Sequence, residues 1–306
     1  RPLSAVRRAN LLRGDVGEVA VLAKHDTLEG ATLALFHPIG FMLAQPLETA
    51  EEIAATLPAP FAVEDKYDGI RAQAHVGVDE ATGLPRVALF SRTLDEITGG
   101  YPEVVEALLE MRVGRGAWSV GTASGDPEVV PTLHAPRASL ILDGELLAFD
   151  PASPDRALSF KAFQRRLGRK APDATVLAEV PVSFVAYDVL AADGALVVDE
   201  TYAERRARIE RLEWPVHGRG ARLAPVGFAS TAEDVERAFA DARARNNEGI
   251  IAKDPGSCYA PGRRGKTWIK LKKAMATLDV VVTGAERGHG RRRGVLSDYT
   301  FAVRAS

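Results

Sequence analysis

A lone thiol, Cys258, is all the cysteine that 306 residues offer. It excludes a disulfide framework and any cysteine-built metal cage, and it fits a reducing cytoplasm. Net charge is just as scarce, −2 at pH 7 with a pI near 6.4, so no uniform field draws the chain to a polyanion. No apolar run nears the roughly 18 residues of a membrane span, and no signal peptide opens the chain. The six histidines have no metal-ligand spacing, which leaves them ordinary core or surface roles. A Walker-type phosphate loop is missing, since Gly284 to Gly290 does not open a helix after a strand. There is no internal repeat. An initiator methionine is missing as well, and the first residues begin mid-pattern, so the expectation is a piece of a longer polypeptide.

What is present is ordinary for a soluble globular protein, 46% hydrophobic and 26% charged. The length predicts about two domains, with enough core to need no staple. Basic residues gather in short clusters: Arg7-Arg8, Arg165-Arg166 with Arg169-Lys170, Arg205-Arg206, Arg263-Arg264, Lys270 to Lys273 and Arg291 to Arg293. A nucleic-acid binder of this balance must concentrate its cations in this way, although each cluster taken singly reads first as solvated surface.

The texture is helical at the start. Ala5 to Leu12 is amphipathic and Gly14 ends it, while Asp15 caps a second helix through Val19, Ala20 and Leu22. Phe36-His37-Pro38 and Gln45-Pro46 break regular structure. Thr49 to Ala55 reads as a short capped helix. Alternating runs then predict strands at Ala62 to Glu64, Ile70 to Val76, Val87 to Phe90, Leu140 to Leu142 and Ser183 to Leu190. Helices are expected at Pro102 to Met111, Phe160 to Leu167, Ala203 to Leu212 and Thr231 to Ala244, giving an α+β fold. Residues 114–138, rich in Gly, Ser, Pro and Thr, predict a mobile loop. A strand at Leu278 to Thr283, a Gly/Arg turn over Gly284 to Gly294 and a strand at Tyr299 to Val303 could begin a five-stranded OB barrel.

Lys66-Tyr67-Asp68-Gly69 places a lysine at the end of a strand, facing a cleft. A neutral lysine amine can form a phosphoramidate with a nucleotide phosphorus. Lys-x-Asp-Gly is short enough to arise by chance, so its surroundings carry the weight. Asp143-Gly144-Glu145 reads as an apolar strand ending in two carboxylates, costly unless they bind a hydroxyl or a metal. Tyr187 near the end of its strand could stack on a purine or simply pack. Glu248 precedes the Gly249 to Lys253 strand, and Mg²⁺ accepts one or two such carboxylates. Lys270 and Lys272 share one strand face, unfavourable unless an anion sits there.

Glu64 to Arg71, Ser91-Arg92, Leu142 to Glu145, Ala186 to Asp188, Glu248 to Lys253 and Trp268 to Lys272 follow one another in a familiar order. In that order the chain resembles the ATP-dependent DNA ligases, within the covalent nucleotidyltransferases. Phe36-His37-Pro38 and Glu64-Asp65-Lys66 are similar to the bacterial LigB, or cisplatin-damage-response, type. The resemblance implies an adenylation domain over 48–276, of twisted antiparallel sheets flanked by helices. The C-terminal end of a helical DNA-binding domain and its linker would precede it over 1–47, and the first strands of a truncated OB-fold domain would follow over 277–306. It implies that Lys66 takes AMP from ATP, Glu64 helps read the adenine edge, Arg71 and Glu145 hold the ribose hydroxyls, and Tyr187 stacks on adenine. Arg92 would meet the 5′-phosphate of a nick. Glu248, assisted by Glu145, would hold Mg²⁺ (or Mn²⁺), and Lys270 and Lys272 the α-phosphate. The implied partner is nicked duplex DNA, met by a nucleoid-associated monomer that works with helicase or nuclease repair partners. The family's last motif lies beyond residue 306, so the chain alone should self-adenylylate slowly or not at all. Two rivals remain open at this stage. An RNA ligase or capping-type nucleotidyltransferase is disfavoured by the helical start, and a non-catalytic DNA-binding module by the intact Lys66, Glu145, Glu248, Lys270 and Lys272.

Overall fold

The computed structural model describes residues 2–111, 139–215, 218–272 and 279–303; the expected mobile loop at 114–138 lies outside them. The chain divides into two compact units, Arg1–Lys272 and Lys273–Ser306.

In the first unit, helices Leu3–Arg13 (α1) and Val16–Lys24 (α2) come first. Gly14 ends α1 in the left-handed region at φ 67°, and the Asp15 carboxylate caps α2 by accepting the Glu18 amide at 2.9 Å. Strand Leu43–Pro46 (β1) and helix Ala50–Thr56 (α3) follow, then strands Phe61–Lys66 (β2), Ile70–Val78 (β3) and Pro85–Ser91 (β4). After helix Pro102–Glu110 (α4) come strands Leu140–Asp150 (β5) and Ser153–Ala157 (β6), helices Phe160–Phe163 (α5) and Ala174–Glu179 (α6), and strands Val182–Ala192 (β7) and Ala195–Leu196 (β8). Helix Tyr202–Glu210 (α7), strands Ala221–Leu223 (β9) and Gly227–Ala229 (β10), helix Ala232–Ala244 (α8), and strands Gly249–Lys253 (β11) and Arg264–Lys272 (β12) complete the unit. The threonines ahead of α3, α7 and α8 each close a capping box with the acid three residues on, which is why these helices begin where the sequence says.

One sheet runs β1-β12-β11-β2-β10 and the other β4-β3-β5-β7-β8, with β6 and β9 added at its flanks. The expected α+β fold is what forms. Its pairings are antiparallel except β1 with β12 and β7 with β9. Alternation explains the layers. Phe61, Val63, Ile250, Ile269 and Leu271 turn one face of the first sheet towards Ile53 of α3 and Val235 of α8. Ala72, Ala74, Leu142, Leu146, Phe184 and Ala186 pack the second sheet on Val104 and Leu108 of α4. A third cluster joins the sheets, bringing Ile39 and Met42 against Ile141, Leu190, Tyr259 and Trp268. The segment ahead of β1 is therefore packed against both sheets. Gln73 fastens it by accepting the Ile39 amide at 2.9 Å, and His75 Nδ1 accepts the Phe36 amide at 3.1 Å.

Two expected elements differ. The helix predicted for Phe160 to Leu167 is one α-turn followed by a 3₁₀ turn over Gln164–Arg166, because Arg166 turns inward to bind Glu103 and the Gly100 and Val180 carbonyls. In the second unit, strands Val281–Arg287 (β13) and Leu296–Ala302 (β14) form an antiparallel hairpin. The first of them runs on through Gly284, where a turn was expected, with a bulge absorbing the register shift there.

Candidate active site

The register of the first sheet assembles the site. Glu64 pairs with Ile251 and Ile251 with Lys270; Lys66 pairs with Gly249 and Gly249 with Lys272. Cross-strand partners share a face, so Glu64, Lys66, Lys270 and Lys272 project to the same side. Between the two lysines Gly249 adopts φ 156°, and a Cβ there would meet the Leu271 carbonyl oxygen at 2.1 Å. Facing this sheet, β3 and β5 pair Arg71 with Glu145, and Tyr187 projects from β7. Between the sheets lies a cavity of about 210 Å³ lined by Glu64, Lys66, Arg71, Arg92, Glu145, Tyr187 and Lys270, together with Lys253, Arg264 and Trp268.

Within it Lys66 Nζ is ion-paired with Glu248, whose own amide donates to the Lys66 carbonyl at 2.8 Å. The Asp68 carboxyl is raised above its usual range by burial and by Glu248 beside it. Glu145 is half-buried, and burial pushes its carboxyl up to about 8 against the pull of Arg71 and Lys66. Arg71 donates Nε and Nη2 to Asp143 at 3.1 and 2.7 Å and Nη1 to the Met42 carbonyl at 2.6 Å. Its guanidinium lies 4.9 Å from the Phe41 ring and 5.8 Å from that of Tyr187. Glu64 is buried, accepts from the Tyr202 hydroxyl, and sits 2.6 Å from Lys253 Nζ. Lys253 is itself buried, with its ammonium 4.2 Å from the Trp268 ring, 4.7 Å from Tyr202 and 5.0 Å from Tyr187. Lys270 is held below its usual range by burial and then by Lys66, Arg264, Lys272 and Arg92. A bound anion would relieve that crowding of cations.

The structure thus brings Lys66, Glu64, Arg71, Arg92, Glu145, Tyr187 and Lys270 to one cavity. Glu248 reaches Lys66 from its edge, while Lys272 is exposed and outside the lining. One expectation is corrected. Asp143-Gly144-Glu145 does not end a strand but lies inside β5. Gly144 allows it, because a Cβ there would strike Phe184 Cζ at 2.5 Å and the Val185 carbonyl oxygen at 2.6 Å. Asp143, fully buried, is the counter-ion of Arg71 rather than a ligand-facing acid. Lys253, Arg264 and Trp268 stand within the runs quoted from the sequence but carry no expected role there. Alternation from Glu64's partner Ile251 would have found Lys253. Arg264 shows locally only as part of a basic pair; its place at the cavity comes from parallel pairing with Leu43.

Among the described residues no three acidic, histidine or cysteine side chains converge as a metal cage. Mg²⁺ needs no such cage, because substrate phosphates and water fill most of its shell. The donors present suit it: Glu248 beside Lys66, and Glu145, whose carboxyl burial pushes up to about 8 and for which a bound cation would be a partner.

The model of the ATP-dependent DNA ligase domain matches residues 41–117 and 125–272. A probable DNA ligase of Koribacter versatilis is 44% identical over 99% of this chain and 50% of its own length. A DNA ligase of Natronomonas pharaonis is 36% identical over 99% of the chain and 49% of its own length. The chain therefore spans about half the length of these relatives. Among solved structures, a mycobacterial DNA ligase D complexed with ATP and MES superposes with a TM-score of 0.51 at 25% identity, covering 86% of this chain and 67% of that one. With the family model matched over most of its residues, the chain belongs to the ATP-dependent DNA ligase domain family.

Proposed function

We propose that this chain is the adenylation core of a ligase that seals nicks in duplex DNA through a lysine-AMP intermediate at Lys66. The observation that carries the reading is the Lys66 amine, ion-paired with Glu248 in a cavity whose other cations are Arg71, Arg92, Lys253, Arg264 and Lys270.

Lys66 must shed a proton before it attacks, and the Glu248 carboxylate against Nζ is the acceptor at hand. Nζ then bonds to the α-phosphorus of ATP as the bond to the pyrophosphate oxygen breaks. Lys270 neutralises the α-phosphate from the row next to Lys66, with Lys272 at the outer end of Lys66's own row. Tyr187 offers its ring to the adenine. Glu64, fixed by Lys253 and Tyr202, faces the base edge. Arg71, locked by Asp143, and Glu145 hold the ribose. Bound Mg²⁺, or Mn²⁺ in its place, would be held by Glu248 and Glu145 and would neutralise phosphate charge. AMP next passes from Lys66 to the 5′-phosphate of the nick, which Arg92 receives at the mouth. The 3′-hydroxyl then attacks that phosphate and AMP leaves. Positioning and charge neutralisation supply most of the acceleration. Residues 1–47 as the end of a DNA-clamping domain, 277–306 as the start of an OB-fold, and helicase or nuclease partners belong to the same proposal.

The test is a mass shift of one AMP on the Lys66 peptide after incubation of the full-length protein with ATP. Lys66→Ala should abolish the acid-labile adduct. An adduct surviving in that variant, or GTP serving better than ATP, would overturn the assignment.

A further inference from the structure

The chemistry described above uses the face of β2 that carries Glu64 and Lys66. Asp65, between them, points the other way and accepts three side-chain hydrogen bonds. Arg245 grips it through two parallel bonds, Nη2 to Oδ1 at 2.7 Å and Nε to Oδ2 at 2.8 Å. Asn247 Nδ2 adds a third at 2.8 Å. Both donors lie in the turn that leaves α8. Asn246 takes a left-handed φ of 66°, the Asn247 amide returns to the Ala242 carbonyl at 3.0 Å, and Arg243 Nη1 donates to the Asn247 carbonyl at 2.6 Å. Asn247 is 5% exposed, so the turn is shaped and buried at that point.

The sequence positions matter. Asp65 immediately precedes Lys66, and Asn247 immediately precedes Glu248. The β2–β11 ladder ends at the Lys66–Gly249 pair. Glu248 is beyond it, tied to β2 by one amide bond to the Lys66 carbonyl and by the contact of its carboxylate with Nζ. We propose that Arg245 and Asn247, acting through Asp65, are positioning residues that hold Glu248 in register with the nucleophile. The clasp joins the residue before Lys66 to the residue before Glu248, on the face of β2 away from Lys66, so it fixes the approach of Glu248 without touching substrate. Two parallel bonds between a planar guanidinium and a carboxylate resist rotation as well as separation, which a single ammonium could not do. The Arg245 side chain is 57% exposed, so its pair adds little to global stability. What its loss changes is the freedom of the turn.

The inference rests on Lys66 being the adenylylated residue, and the experiment separates the two. Adduct formation from saturating ATP is followed in a single turnover with the full-length protein. Arg245→Ala and Asn247→Ala should each lower the rate constant about tenfold, since small misplacements of a reacting group are costly. The final yield of adduct and the half-saturating ATP concentration should stay at parent values. Arg245→Lys should recover only part of the rate, and Arg237→Ala, which removes the exposed Arg237–Asp234 pair of the same helix, should change nothing. Parent-like rates in Arg245→Ala and Asn247→Ala would overturn the proposal. So would a joint fall of rate, yield and ATP affinity, the mark of partial unfolding. A parent protein that forms no adduct on Lys66 would instead overturn the functional reading beneath it.

Discussion

Replacing Asp143 with asparagine removes one charge from the interior and nothing from the surface. Asp143 is fully buried and accepts three bonds, two from Arg71 and one from the Tyr259 hydroxyl at 2.7 Å. Asparagine keeps one oxygen and turns an amine towards Arg71 or Tyr259, both donors here. The Arg71 guanidinium would lose its ionised partner, with the Glu145 carboxyl beside it held largely neutral by burial. Breaking a buried pair from one side costs about 3–5 kcal/mol. Tyr259→Phe removes one of the three bonds and strands the Met42 amide that the hydroxyl accepts at 2.9 Å, a loss of about 1–3 kcal/mol. Urea unfolding should therefore rank parent, Tyr259→Phe, Asp143→Asn, with unchanged m-values. Fluorescence titration with AMP should show weaker binding in Asp143→Asn, because Arg71 no longer holds its place beside Tyr187. A loss of stability below about 1 kcal/mol in Asp143→Asn would refute the claim that Arg71 depends on this carboxylate.

Two further outcomes follow from buried groups. Burial lowers His75 from 6.5 to about 3, with His37 and Arg86 adding to the effect. The native imidazole stays neutral while the unfolded one protonates, so stability is full above pH 6.5 and drains as pH falls towards 3. By pH 5 the loss is about 2 kcal/mol. His75→Gln should flatten that part of a urea-midpoint profile, and parallel profiles for parent and variant would sink the assignment. Gly249→Ala drives a methyl to 2.1 Å from the Leu271 carbonyl oxygen and 2.9 Å from the Phe239 ring. It should lose about 3 kcal/mol, and a variant that melts with the parent would contradict the packing around the Lys66 row.

Legibility in the sequence follows the range of the forces involved. Although the Thr201 box, equally local, went unread and its helix was expected from Ala203, helix starts at Thr49 and Thr231 were readable because a cap and its partner lie within one turn. The same holds for Lys270 and Lys272, whose shared face needs only the period of a strand. The four residues at Lys66 say little alone, and its companions at the cavity, Glu248 and Lys270 among them, lie far along the chain. Asp143 was misread as a strand end because Gly144 looks like a turn, whereas it is there to let the Phe184 ring approach. The contacts that fasten Phe36 to Ile39 onto β3 through His75 and Gln73 span 39 and 34 residues and leave no trace in local pattern. The Asp65 clasp spans 180 and 182, and an acid beside the nucleophile reads from sequence as an exposed charge.

The placement of β2 inside its sheet also sets a timetable. Lys66 and Glu248 are separated by 182 residues, and β11 and β12, which complete the floor beneath the nucleophile, are the last strands of their unit to be made. At about 5–20 residues per second, a ribosome would expose the Lys66 strand for on the order of 10–40 s before Glu248 emerges. During most of that interval neither edge of β2 has its partner, since β10 and β11 both follow it, and the lysine lacks Glu248 as well as Lys253, Arg264 and Lys270. On the proposed reading, a nascent chain would therefore not load nucleotide early: Lys66 would become reactive only once the closing strands have been synthesised and docked.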